Sequence, residues 1–118
     1  MGEVLSAWVE RSALYLRARL GRRTAYGYLE VLALTLRPQG WRFVKLYRPA
    51  PVPLLRVYAN GTEEIAIEVS ALPVPGGAWA YHDARLGRRG YLHPCDDADT
   101  AAKVVDDLLK HRMFPSTW

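Results

Sequence analysis

The sequence predicts an α+β protein: two N-terminal helices, an antiparallel meander of four to five strands, and a C-terminal helix packed on one sheet face. Three observations carry this. Two apolar-rich runs meet at Asn60-Gly61, a dipeptide whose tolerance of positive φ marks a hairpin. Three segments repeat apolar residues at helical steps. Pro and Gly clusters cut the rest of the chain into strand-length pieces.

Taken in order, residues 3–20 place Leu5, Trp8, Val9, Ser12, Leu16 and Leu20 on one stripe, with Gly21 as the stop. Thr24 is positioned to cap a second helix over residues 24–36, which ends before Pro38 because proline disfavours helical geometry at Arg37. That helix is apolar nearly all round (Tyr28, Leu29, Val31, Leu32, Leu34, Leu36), so it is expected to be central. A strand is its competitor, since a short apolar run fits both.

Gly40 opens a strand over residues 41–47, and the proline-rich stretch 48–53 is a stiff extended loop. In the hairpin, a three-residue loop Ala59-Asn60-Gly61 is expected, with Gly61 left-handed. It puts Leu55, Val57, Ile65, Ile67 and Val69 on one face and Arg56, Tyr58, Thr62, Glu64 and Glu68 on the other. A one-residue slip would invert every side chain. The third strand ends in residues 72–77, and a fourth covers 78–83. A basic turn, 84–90, leads to a short strand, 91–93, stopped by Pro94. Asp96, Asp97 or Asp99 caps the last helix, whose stripe is Ala101, Val104, Val105, Leu108 and Leu109. Lys110, His111 and Arg112 suit its C-terminal dipole. The tail beyond it is apolar.

The chain has 118 residues, half of them apolar and a quarter charged, which fits one domain over 1–118. No apolar run reaches the roughly 18 residues of a membrane span. The N-terminus has no signal-peptide pattern and Cys95 is the single cysteine, so a cytoplasmic protein without membrane attachment is expected. Arg far outnumbers Lys beside abundant Ala, Gly and Pro, which points to a GC-rich bacterial genome. Residues 1–60 carry ten Arg/Lys against three Asp/Glu, and residues 61–118 six against nine. An anionic partner for the first half or self-complementation would both account for that asymmetry.

No pattern of catalytic residues is legible. Cys95 precedes a helix, but Asp96 and Asp97 disfavour its thiolate. His82, His93 and His111 match no metal spacing, and if Tyr81 opposes His93 then His82 and His93 point to opposite faces. Glu63, Glu64 and Glu68 lack the lysine a metal-dependent nuclease strand needs. Gly87-Arg88-Arg89-Gly90 lacks the strand-loop-helix setting of a phosphate loop. No cofactor or metal is expected.

Binding is the better expectation. Arg85, Arg88 and Arg89 on a hairpin tip, with Tyr91 beside them, combine phosphate contacts with a stacking ring. Phe114 and Trp118 make the tail a docking element, and the surplus of aromatics suits a protein interface. The leading reading is a non-enzymatic accessory or adaptor module binding another protein or itself, as a homodimer. A nucleic-acid-binding accessory protein using residues 85–89 comes second, and a cryptic enzyme third.

Overall fold

The structure, a computed structural model, describes residues 21–47, 52–59 and 61–113. The expected first helix and the tail residues Phe114 and Trp118 lie outside them. The architecture is α+β. Helix α1 (Arg22–Leu36) is followed by a 3-10 turn, Arg37–Gln39, and by strands β1 (Trp41–Leu46), β2 (Leu54–Ala59), β3 (Thr62–Pro73) and β4 (Trp79–Asp83). A 3-10 segment, Ala84–Gly90, leads to β5 (Tyr91–Pro94) and helix α2 (Ala98–Met113). The strands form one antiparallel sheet in the order β1-β2-β3-β4-β5. Residues 24–36 are thus helical, and the competing strand is not formed.

Both helices contribute to one core with the sheet. Leu29, Leu32 and Leu36 of α1 and Val105 and Leu109 of α2 are sealed against Leu55, Val57, Ile67, Val69 and Tyr81. Each such apolar side chain contributes about 1.5–3 kcal/mol when fully buried. Polar atoms in this layer are matched. The Tyr81 hydroxyl donates to the Tyr28 carbonyl at 2.6 Å, and Trp41 Nε1 donates to Asp106 Oδ1 at 2.7 Å.

Three expectations need correction. Helix α1 starts at Arg22, so Thr24 sits inside its first turn and is not the cap. The start is held instead by Arg22, whose guanidinium donates to the Tyr47 carbonyl and the Tyr26 hydroxyl. Nor is α1 enclosed: Val31 is 48% and Leu34 60% exposed, because its sheet-facing side, Ala25, Leu29, Leu32, Ala33 and Leu36, already fills the available core.

The third correction is the hairpin register. Ala59 opposes Thr62, a shorter turn than the three-residue loop expected, and Gly61 takes φ +86°. The register then shifts between Tyr58 and Ala59, so that Tyr58 opposes Ala66, Val57 opposes Ile67 and Leu55 opposes Val69. The shift adds an odd number of residues to β3, which restores the face that the tight turn alone would invert. Leu55, Val57, Ile67 and Val69 are consequently buried together, as their spacing requires.

Asp97 caps the start of helix α2. Its Oδ1 accepts the Thr100 amide at 3.1 Å and its Oδ2 the Thr100 hydroxyl at 2.7 Å. These bonds hold the Asp97 carboxyl below the usual carboxylate range. No helix among the described residues is long and apolar enough to cross a membrane.

Candidate binding surfaces at the two edges of the sheet

The expected basic tip is a folded-back segment. Asp83, 4% exposed, opens it by accepting the Arg85 amide at 3.1 Å. Gly90 closes it, packed so tightly that a Cβ there would lie 2.4 Å from the Asp83 carbonyl oxygen. Between them, Gly87 takes φ +58° and Arg88 turns back onto the sheet, donating from Nη1 to the Pro73 carbonyl at 2.7 Å. Partial burial lowers the Arg88 pKa, although the side chain as a whole stays exposed. Arg85 lies 3.9 Å from Asp83 and stays exposed, as do Arg89 and Tyr91. All three arginines are thus exposed, and Arg88 differs in being tied back to the Pro73 carbonyl. Tyr91 meets the His82 ring edge-on at 5.6 Å.

Asp83 also takes Arg112 of α2, at 3.4 Å, and the other arm of that guanidinium donates to the Ala66 carbonyl at 2.9 Å. This corner is a structural knot between α2, β3 and β4. His82 belongs to it, with Nδ1 3.0 Å from the Ala80 carbonyl; since a carbonyl only accepts, Nδ1 carries the proton. Burial depresses the His82 pKa; the Ala80 bond partly opposes this and the Arg88 charge reinforces it. Tyr81 opposes His93, so His82 and His93 lie on opposite faces and share no ligand. Among the described residues no three of His, Cys, Asp and Glu converge to hold a metal ion. Cys95 is buried, and burial, then Asp96, push its thiol up to about 12, far from a nucleophile's range.

The opposite edge is built differently. Among the described residues β1 pairs only with β2, leaving alternate backbone N–H and C=O groups along its outer side without a strand partner. At its start lies an open cleft of about 570 Å³, lined by Arg37, Gly40, Trp41, Arg42 and Phe43. The sequence builds it locally. Pro38 tightens the chain into a 3-10 turn, and Gly40, at φ +89°, closes the turn with its amide on the Arg37 carbonyl at 3.1 Å. Trp41 is held inward by Asp106. The Arg37 guanidinium lies 5.4 Å from the centre of the Phe43 ring, within cation–π range. At the strand's other end Lys45 is paired with Glu30 at 2.8 Å, and the Tyr47 hydroxyl donates to the same carboxylate at 2.9 Å. These two contacts, Lys45 foremost, hold Glu30 below the ordinary carboxylate range.

Sequence reasoning took Gly40 only as the opening of a strand. The signal it passed over is the run Arg37-Pro38-Gln39-Gly40, a glycine-closed turn, directly before a strand that opens Trp41-Arg42-Phe43. In comparisons with known proteins, no family model, no curated protein and no solved structure matches this chain.

Proposed function

We propose that this chain is a protein-binding accessory module whose binding element is the open edge of the sheet at β1. One observation carries the reading: a six-residue edge strand, paired on one side only among the described residues, runs directly out of a 570 Å³ cleft. An extended segment of a partner chain can add to such an edge through main-chain hydrogen bonds while its side chains probe the cleft. The other edge suits this less. β5 has four residues and ends in Pro94, and Cys95 turns its amide back onto the Trp79 carbonyl at 2.9 Å.

The test is site-specific photo-crosslinking. A photoreactive side chain at Val44, which is 41% exposed on β1, should give one discrete protein adduct in cells that express the chain natively. The same group at Leu86, 57% exposed on the Ala84–Gly90 segment, should give none. Adducts of equal strength at both positions, or none at Val44, would reject the reading. Light scattering after size exclusion, at low and physiological salt and with an oligonucleotide pool, separates the rivals. A salt-insensitive dimer favours self-association, and a salt-sensitive shift onto oligonucleotide favours nucleic acid.

A further inference from the structure

Resting on that reading, we infer that the segment added to β1 is acidic, with two carboxylates at adjacent positions, one reaching each face of the sheet. The argument begins with charge. Arg37 and Arg42 are both exposed, and among the described residues neither has a carboxylate within 4.0 Å. The acid that senses Arg37, Glu30, is already held by Lys45 and Tyr47. Two cations thus stand at the mouth of the cleft without a carboxylate partner among the described residues.

Their placement sets the spacing of the ligand. Phe43 opposes Val57, a core residue, so the ring and the Arg37 guanidinium stacked on it lie toward the helix-covered face. Arg42 opposes Tyr58 and therefore projects from the other face. Consecutive side chains of an extended strand point to opposite faces, so adjacent acids reach both arginines. Acids two residues apart reach only one. Gly40 leaves open space beside the strand's first residue: a Cβ built on it would meet nothing within 4 Å.

A second copy of β1 is a poor occupant. The strand reads Trp41-Arg42-Phe43-Val44-Lys45-Leu46, with two cations and no acid, so pairing two such edges brings like charges together. Nucleic acid would satisfy the arginines but would leave the backbone groups of the edge unused.

The experiment is fluorescence anisotropy on the full chain with a labelled peptide, Thr-Val-Thr-Glu-Glu-Thr-Val-Thr. Replacing both glutamates by glutamine should weaken binding roughly tenfold, and a Glu-Thr-Glu arrangement should weaken it several-fold. N-methylation of alternate peptide amides should abolish binding, since it removes the donors that strand addition needs. The double variant Arg37→Glu/Arg42→Glu should lose at least tenfold while retaining its circular dichroism. Should charge reversal perturb folding, Arg37→Gln/Arg42→Gln gives the same test with a smaller loss.

If the glutamine peptide binds as well as the acidic one, the acidic specificity is overturned, while strand addition and the Val44 cross-link survive. If the N-methylated peptide or oligo-dT binds as tightly as the acidic peptide, general charge attraction has replaced the inference. Failure of every peptide to bind also overturns it. Loss of the Val44 cross-link, by contrast, removes the functional reading beneath it.

Discussion

The start of β1 and the corner formed by β4, β5 and the segment Ala84–Gly90 look alike in sequence and differ in what their arginines hold. Each stretch sets arginines beside aromatic rings and a turn glycine: Arg37, Gly40, Trp41, Arg42 and Phe43 in one, Arg85, Gly87, Arg88, Arg89 and Tyr91 in the other. In the corner, Arg88 is bonded to the Pro73 carbonyl, and Arg112 joins Asp83 to the Ala66 carbonyl. At β1, neither Arg37 nor Arg42 meets a carboxylate among the described residues, and both line an open cleft. The lesson is that a guanidinium with five donors serves whichever acceptors the fold brings near it. Carbonyls of the corner take Arg88 and Arg112, whereas at the edge no carboxylate among the described residues takes Arg37 or Arg42.

If the corner is structural, its tightest contact should be the most damaging to disturb. In Gly90→Ala the new methyl would press on the Asp83 carbonyl and on Leu86 Cβ at 3.0 Å, and neither retreats without moving backbone. The expected loss is about 2–3 kcal/mol in urea unfolding. Wild-type stability for this variant would mean that the segment is not packed as described. Removing the buried carboxylate comes next. Asp83→Ala takes the acceptor from the Arg85 amide and the partner from Arg112, for about 2 kcal/mol. Because Asp83 and Arg112 share one contact, the double variant Asp83→Ala/Arg112→Ala should cost less than the sum of the singles. Strict additivity would argue that the two side chains do not act together.

Within the same segment, Arg88→Ala should cost about 1 kcal/mol, from a hydrogen bond that is charged but partly wet. Arg89→Ala should stay within about 0.5 kcal/mol, as surface changes do. Equal effects for the two would show that the arginines are interchangeable, contrary to their geometry.

These differences mark where sequence reasoning reaches and where it stops. Period-two and helical spacing identified the strands, the last helix and the buried set Leu55, Val57, Ile67 and Val69, because burial imposes those periods directly. The register shift at Tyr58/Ala59 was not legible: it depends on how a tight turn and a sorted core reconcile their parity, and no single residue type announces that. Arg88's return to Pro73, 15 positions earlier, is a tertiary contact with no local signature. The outward side of α1 misled for another reason. Val31 and Leu34 are apolar in a helix whose sheet-facing side already saturates the core, so composition overstated its burial.

The corner also carries a pH signature. His82 is 2% exposed, and its folded pKa is depressed, chiefly by burial. The unfolded chain takes up the proton near the ordinary value, about 6.5. Between that value and the lower folded one, the unfolded state binds more protons than the native state. Stability is therefore complete above about pH 6.5 and falls as the pH drops toward the folded pKa. Glu30 and Asp97, both held below the ordinary carboxylate range, act only in a more acidic window. Urea midpoints should fall between pH 7 and pH 5.5, and His82→Gln should flatten that slope. An unchanged slope in the variant would assign the effect to another group.

The smallest stability effect is the most informative about β1. Arg37→Ala removes a cation–π contact at an exposed site, worth about 0.5–1 kcal/mol at most. Arg42→Ala removes a side chain with no ion pair among the described residues and should stay within about 0.5 kcal/mol. The same pair of changes should weaken the acidic peptide several-fold, whereas Arg88→Ala, costlier to the fold, should leave peptide binding unchanged in the folded protein. A residue that stability barely notices and binding does is one the fold holds for something outside itself. If Arg42→Ala instead destabilised the chain as much as Arg88→Ala, both edges would be spending their arginines internally, and the contrast between them would collapse.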